Sequence, residues 1–139
     1  LGAGLHLVGH ARTRGHALDL NQVTVPARDL RASIDFYQRF GLRLIVDSPE
    51  NGYARFELPG GDETFSVHVG AETTQGYLEA DHPEAAVARL RDEGIEPVAP
   101  LTYQLWLWRE ALYRDPAGNP LCVYQAGRHR KDPPWRVDG

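Results

Sequence analysis

A constant offset of 53 residues runs through the chain. It maps Gln22 onto Gln75, Ile34 onto Val87, Tyr37 onto Leu90, Gly41 onto Gly94 and Leu42 onto Ile95. A spacing that carries strand, helix-face and helix-stop positions together marks an internal repeat, and units this short bury their apolar faces only against a neighbour. The 139 residues therefore suit two small modules that close one domain between them.

The elements within each unit follow from local pattern. Residues 20–25 alternate polar and apolar, as a half-buried strand does, and Pro26 marks its expected end. Asp29 stands in N-cap position before a helix over 31–40, with Leu30, Ile34, Tyr37 and Phe40 on its apolar face and Gly41 as its stop. Strands are expected at 42–46, 53–58 and 64–69, punctuated by Asn51-Gly52 and Gly60-Gly61. The second unit repeats the order: strand 76–80, helix 83–93 with Gly94 as stop, then strands 95–98, 110–114 and 121–124. The turn Asp115-Pro116-Ala117-Gly118-Asn119 joins the last two. The fold class is α+β, two βαβββ modules (19–70 and 75–126) forming a curved mixed sheet. Val23, Val25, Phe65, Val67, Leu121 and Val123 face the helices. The alternate residues Gln22, Thr24, Ser66, His68, Gln75, Tyr77, Glu79, Cys122 and Tyr124 then line a shared cup.

Composition excludes several classes. No run approaches the roughly 18 apolar residues of a membrane helix. A net charge of −4 argues against a nucleic-acid partner, which calls for a basic face. A single cysteine, Cys122, allows no internal disulfide, and the expected location is cytoplasmic. Residues 1–18 read as a flexible N-terminal arm. Its histidines, His6, His10 and His16, fit neither a helix face nor a zinc motif. Residues 127–139 form a basic C-terminal tail, expected to dock on the surface or on a partner subunit through Trp135.

Two segments carry a resemblance. The first is Gln22-Val23-Thr24-Val25-Pro26-Ala27-Arg28-Asp29-Leu30 with Ser33, Phe36-Tyr37 and Gly41-Leu42. The second is Trp108-Arg109-Glu110-Ala111 followed by Arg114-Asp115-Pro116-Ala117-Gly118-Asn119. Together, over residues 19–126, they resemble the opening strand–helix and closing hairpin of the vicinal oxygen chelate superfamily, which includes glyoxalase I, extradiol dioxygenases and the fosfomycin- and bleomycin-resistance proteins. The resemblance implies a homodimer and four cup-facing positions that bind a divalent metal. Carried over, these are Gln22, Gln75, Cys122 and, on the fourth strand, Ser66, or His68 if the register shifts by two.

That set is weak for a hard divalent ion, which wants carboxylate and imidazole. Gln22 is compatible through its amide oxygen. Gln75 adds no charge, Ser66 is a poor ligand, and Cys122 stands where an acid is expected. Cys122 itself has three readings: a thiolate ligand for Zn(II) or Cu(I) with His68, a nucleophile, or an inert small wall residue. His68 reads as a general base or as a structural histidine. Glu79 shares the cup-facing parity, nearer the rim, and is the second catalytic candidate.

Aromatic residues fill the remaining signal. Trp106 and Trp108, two apart in Tyr103-Gln104-Leu105-Trp106-Leu107-Trp108, point the same way if that segment is extended. Trp106 is the better ligand contact and Trp108 the better core residue. Arg109 either clamps an anion or pairs with Glu110 or Asp115. The expected function is binding of a small aromatic molecule in the cup by Gln22, Thr24, Ser66, Tyr77, Trp106, Arg109 and Tyr124, with a weakened or absent metal site. The alternatives are a metal-assisted lyase or isomerase, and a metal-free acid–base enzyme using His68 and Glu79.

Overall fold

Asp29 caps the first helix as its chemistry requires: its carboxylate accepts the Ala32 N–H at 3.1 Å. Gly41 closes that helix in the left-handed conformation, φ 117°. The structure is a computed structural model that describes residues 17–138. In chain order its elements are β1 (Asp19–Ala27), α1 (Leu30–Phe40), β2 (Arg43–Ser48), β3 (Tyr53–Glu57) and β4 (Thr64–Val69), then β5 (Gln75–Glu79), α2 (Pro83–Asp92), β6 (Ala99–Tyr103), β7 (Arg109–Arg114) and β8 (Pro120–Gln125). Short 3-10 turns occur at Pro49–Asn51 and Gly127–His129. The arm's histidines at 6, 10 and 16 lie outside the described residues.

The eight described strands form one mixed sheet in the order β2-β3-β4-β1-β5-β8-β7-β6. Each module has its first strand parallel to its last, β1 to β4 and β5 to β8. The modules meet along an antiparallel seam between β1 and β5. This is the βαβββ duplication that the 53-residue offset predicts. In the final strands the offset grows to 56: Thr24 pairs with Ser66 and its counterpart Tyr77 pairs with Cys122, so Ser66 matches Cys122.

Each helix covers the same face of its own half-sheet. Leu30 and Ile34 of α1 pack on Leu44, Ala54, Phe56 and Val67, while Ala86 and Val87 of α2 pack on Ala111, Tyr113 and Val123. The other face is concave. On a flat sheet the five strand steps from β3 to β7 span about 24 Å. Arg55 of β3 nevertheless lays its guanidinium 4.6 Å from the ring centre of Trp108, beside β7. Only a strongly curled sheet brings them together.

Four local expectations are corrected. Strand β1 runs through Pro26 to Ala27, because beyond Thr24 it pairs only with β4 and a one-sided ladder tolerates proline. Residues 95–98 are not a strand. Ile95 N–H instead closes the helix end on Leu90 C=O, Pro97 has no N–H to offer, and the first bond to β7 is Val98 N–H to Leu112 C=O, just before the strand begins at Ala99. Phe40 lies off the apolar stripe of α1, 71% exposed and stacked on Phe36. Residues 104–107 form a tight hairpin loop rather than an extended run, so Trp106 and Trp108 part company: Trp108 is buried and Trp106 is 40% exposed. No helix among the described residues is long and apolar enough to cross a membrane.

Candidate functional site

Strand alternation and register assemble the concave face in rows. One row runs Gln22–Tyr77–Cys122 across β1, β5 and β8, and the next runs Ser66–Thr24–Gln75 across β4, β1 and β5. The four positions that the resemblance assigns to a metal, Gln22, Ser66, Gln75 and Cys122, thus surround Thr24 and Tyr77. The register puts Ser66, not His68, in the fourth-strand position.

The donors at these positions do not suit a divalent ion. Gln22 Oε1 already accepts the Thr64 hydroxyl at 2.7 Å. Ser66 Oγ is bonded to the Tyr53 hydroxyl at 2.8 Å. Burial first, then the nearby Glu110 carboxyl, pushes the Cys122 thiol far above its ordinary range, so it is a neutral S–H rather than a thiolate. None of the four supplies a negative charge. Among the described residues no group of three or more His, Cys, Asp or Glu converges as a metal centre.

An acid does reach this region, from the next strand. Glu110 of β7 lies opposite Tyr124 of β8 and so shares the concave face. One of its oxygens, Oε2, accepts the Trp106 indole N–H at 2.5 Å, and its carboxyl also engages the Cys122 thiol. Burial raises the Glu110 pKa, opposed by those two hydrogen bonds and by the positive charge of Arg55. The aromatic wall beside it is Tyr77, edge-on to Trp108 (5.9 Å between centroids) and to Tyr124 (5.5 Å). Burial also drives the Tyr77 and Tyr124 hydroxyls well above the ordinary phenol range, so both act as neutral O–H groups. Thr24 Oγ1 is buried with no well-formed hydrogen bond and faces the Tyr77 hydroxyl.

The C-terminal segment covers the other end of the cup. Glu79, 6% exposed, accepts Asn21 Nδ2 at 2.8 Å and the backbone N–H groups of Ala126 (2.7 Å) and Gly127 (2.9 Å). Arg130, 5% exposed, lies with its Nε 3.6 Å from Glu79 and donates to the Asp62 carbonyl (2.6 Å) and carboxylate (3.0 Å). Arg55 donates to the carbonyls of His129 (3.3 Å) and Arg130 (2.9 Å), and Trp108 Nε1 donates to His129 C=O at 3.3 Å. Further on, Arg136 grips Glu57, and Val137 N–H bonds to Ile45 C=O on edge strand β2.

The remaining candidates separate. Tyr124 is buried, its hydroxyl bonded to Asn21 Oδ1. His68 is exposed at the rim, edge-on to Tyr53 at 6.0 Å. Glu79 is occupied by Asn21 and the C-terminal segment. Arg109 points to the helix side and pairs with Glu84, not with Glu110 or Asp115. Trp135 is 40% exposed, and the tail docks chiefly through Arg130, Arg136 and Val137. Sequence reasoning missed Glu110, Arg55 and Arg130. Strand parity held a signal for two of them: with Ala54 and Phe56 in the core, Arg55 must face the cup, and with Ala111 in the core so must Glu110.

The duplicated βαβββ sheet with a concave polar face defines a glyoxalase-like domain. The sequence profile of the Glyoxalase/Bleomycin resistance protein/Dioxygenase superfamily matches residues 19–123, and the chain belongs to that superfamily. Solved structures show the same fold. Methylmalonyl-CoA epimerase from Mycobacterium tuberculosis is 17% identical, with a TM-score of 0.65 over 77% of this chain and 87% of its own. A Streptomyces coelicolor methylmalonyl-CoA epimerase variant in complex with 2-nitronate-propionyl-CoA is 14% identical (TM-score 0.61; 79% and 96% covered). The Mn(II)-bound glyoxalase from Novosphingobium aromaticivorans is 11% identical (TM-score 0.62), with 86% of this chain covering 39% of that longer one. No curated protein matches the sequence. The superfamily profile ends before the segment that carries Arg130.

Proposed function

We propose that this protein binds a small planar organic molecule in the half of the cup that the C-terminal segment leaves uncovered, without a divalent metal at the superfamily positions. Tyr53 and His68 border this space on one module, and Gln75, Tyr77, Trp106 and Glu110 border it on the other. The observation that carries the reading is the donor set: two amides, a hydroxyl and a neutral thiol replace the carboxylates and imidazoles a metal needs. Relatives of this fold act on small molecules, and one holds an acyl-CoA analogue.

Tryptophan fluorescence tests this directly, because Trp106 is half-exposed beside Glu110. A panel of planar aromatics is expected to include compounds that quench it saturably, with the same affinity in the presence of a chelator. Metal analysis of protein purified without chelator is expected to find no stoichiometric ion. Stoichiometric Mn, Fe, Ni or Zn, or binding that disappears on chelation, overturns the reading.

A second reading, metal-free proton transfer, is favoured by one observation: Glu110 is a carboxyl in the cup whose pKa burial raises, the condition that suits a general acid or base. It replaces the His68–Glu79 pairing, since Glu79 is tied to the C-terminal segment and His68 stands at the rim. For any substrate found, Glu110→Gln should then abolish turnover while keeping most of the binding. Retained turnover excludes the role.

A further inference from the structure

The loop that bears Trp106 is built at a backbone cost. Residues 104–107 turn tightly between β6 and β7, with Gln104 N–H bonded to Trp108 C=O (2.7 Å) and Leu107 N–H to Gln104 C=O (3.0 Å). Leu107 carries φ +71°, alone among the described non-glycine residues in the left-handed region. A branched L side chain is strained there. Leu105 at the tip is 93% exposed and gains nothing from packing. What the turn achieves is to bring the Trp106 indole over the concave face, where its N–H meets Glu110 Oε2. The same carboxyl engages the Cys122 thiol, and the neighbouring wall is aromatic.

A flat bicyclic ring that donates an N–H to a recessed carboxyl, held by a strained and exposed loop, has the form of a bound ligand. Resting on the cup reading above, we infer that Trp106 occupies the ligand's place, and that the ligand is a planar heteroaromatic whose ring N–H takes over the indole's bond to Glu110. Exchange keeps Glu110 Oε2 satisfied and releases the strain at Leu107. A ring without an N–H leaves a recessed acceptor unpaired, and that penalty is the source of the selectivity.

The test uses Trp106→Ala with indole and 1-methylindole, followed by ligand-observed NMR titration, with thermal unfolding to verify that each variant is folded. The pair differs in the one hydrogen at issue. In Trp106→Ala, indole is expected to bind about tenfold or more tightly than 1-methylindole. Indole is also expected to bind the wild type more weakly, since Trp106 competes there. Glu110→Leu, combined with Trp106→Ala, should erase the preference. Equal affinity for the two probes overturns the N–H inference and leaves the cup reading standing. Failure of both probes to bind Trp106→Ala overturns the inference as well, while the wild-type fluorescence panel decides the cup reading separately.

Discussion

Removing the Arg130 side chain should loosen the whole molecule, although Arg130 lies beyond the superfamily profile and outside every strand. Arg130 is 5% exposed, and its guanidinium sits between the buried Glu79 carboxylate and Asp62. Taking one partner from a buried pair typically costs about 3–5 kcal/mol, because the other charge is left without compensation. Here two facts argue for the lower end. Glu79 keeps three other donors, from Asn21, Ala126 and Gly127, and Asp62 is 69% exposed and can turn to water. Arg130→Ala is therefore expected to lose about 3 kcal/mol in urea unfolding, or about 10 °C in Tm for a chain of this size. Arg136→Ala, whose pair with Glu57 is partly exposed, should lose only about 0.5–1 kcal/mol. A double-mutant cycle of Arg130→Ala with Glu79→Gln should show positive coupling, since the two charges balance each other. An Arg130→Ala variant within about 1 kcal/mol of wild type would refute the claim that this segment fastens the cup.

Other expectations follow from the same geometry. Burial holds Glu110 protonated through a pH window in which the unfolded chain has already released the proton, so stability should fall as pH rises from the ordinary glutamate value toward the folded one; Glu110→Gln should flatten that slope in pH-dependent urea titrations. Cys122, a buried neutral thiol, should resist a thiol reagent such as DTNB in the native protein and react only on unfolding, so rapid native labelling would contradict its placement. Asp29→Ala removes the N-cap of α1 and should cost about 1 kcal/mol in chemical denaturation. Arg109→Ala should leave the affinity of any cup ligand unchanged in a fluorescence titration, because its guanidinium pairs with Glu84 on the helix side.

What the sequence disclosed and what it withheld divide along one physical line. Local and periodic features were legible: the Asp29 cap, the Gly41 and Gly94 stops, the Asp115–Asn119 turn, and the offset that pairs the modules. Asp115 shows how direct that reading is, since its carboxylate accepts Ala117 N–H, Asn119 N–H and Asn119 Nδ2 within a five-residue loop. Errors arose where a neighbour in space overrode local chemistry. Pro26 punctuates a strand locally, yet the parallel partner β4 carries β1 past it. Gln22 and Ser66 look like free cup-lining donors until Thr64 and Tyr53 are found holding them. Arg130 sits in the run Arg-His-Arg-Lys, which reads as solvated charge; its partners Asp62 and Glu79 lie 68 and 51 positions away, and nothing in the run itself announces them.

The position of that segment along the chain bears on how the molecule is made. The seam between β1 and β5 can form once residue 79 has been synthesised, and the sheet is complete at Gln125. Arg55 and Trp108 face the cup from that moment, but the carbonyls that accept from them belong to residues 129 and 130, and the backbone N–H groups that Glu79 accepts belong to Ala126 and Gly127. A nascent chain that ends at β8 thus carries two assembled modules with buried polar groups still unmet. The stretch that emerges next is the one that ties them, so a cleavage site placed directly after Ala126 should cost the sheet these bonds.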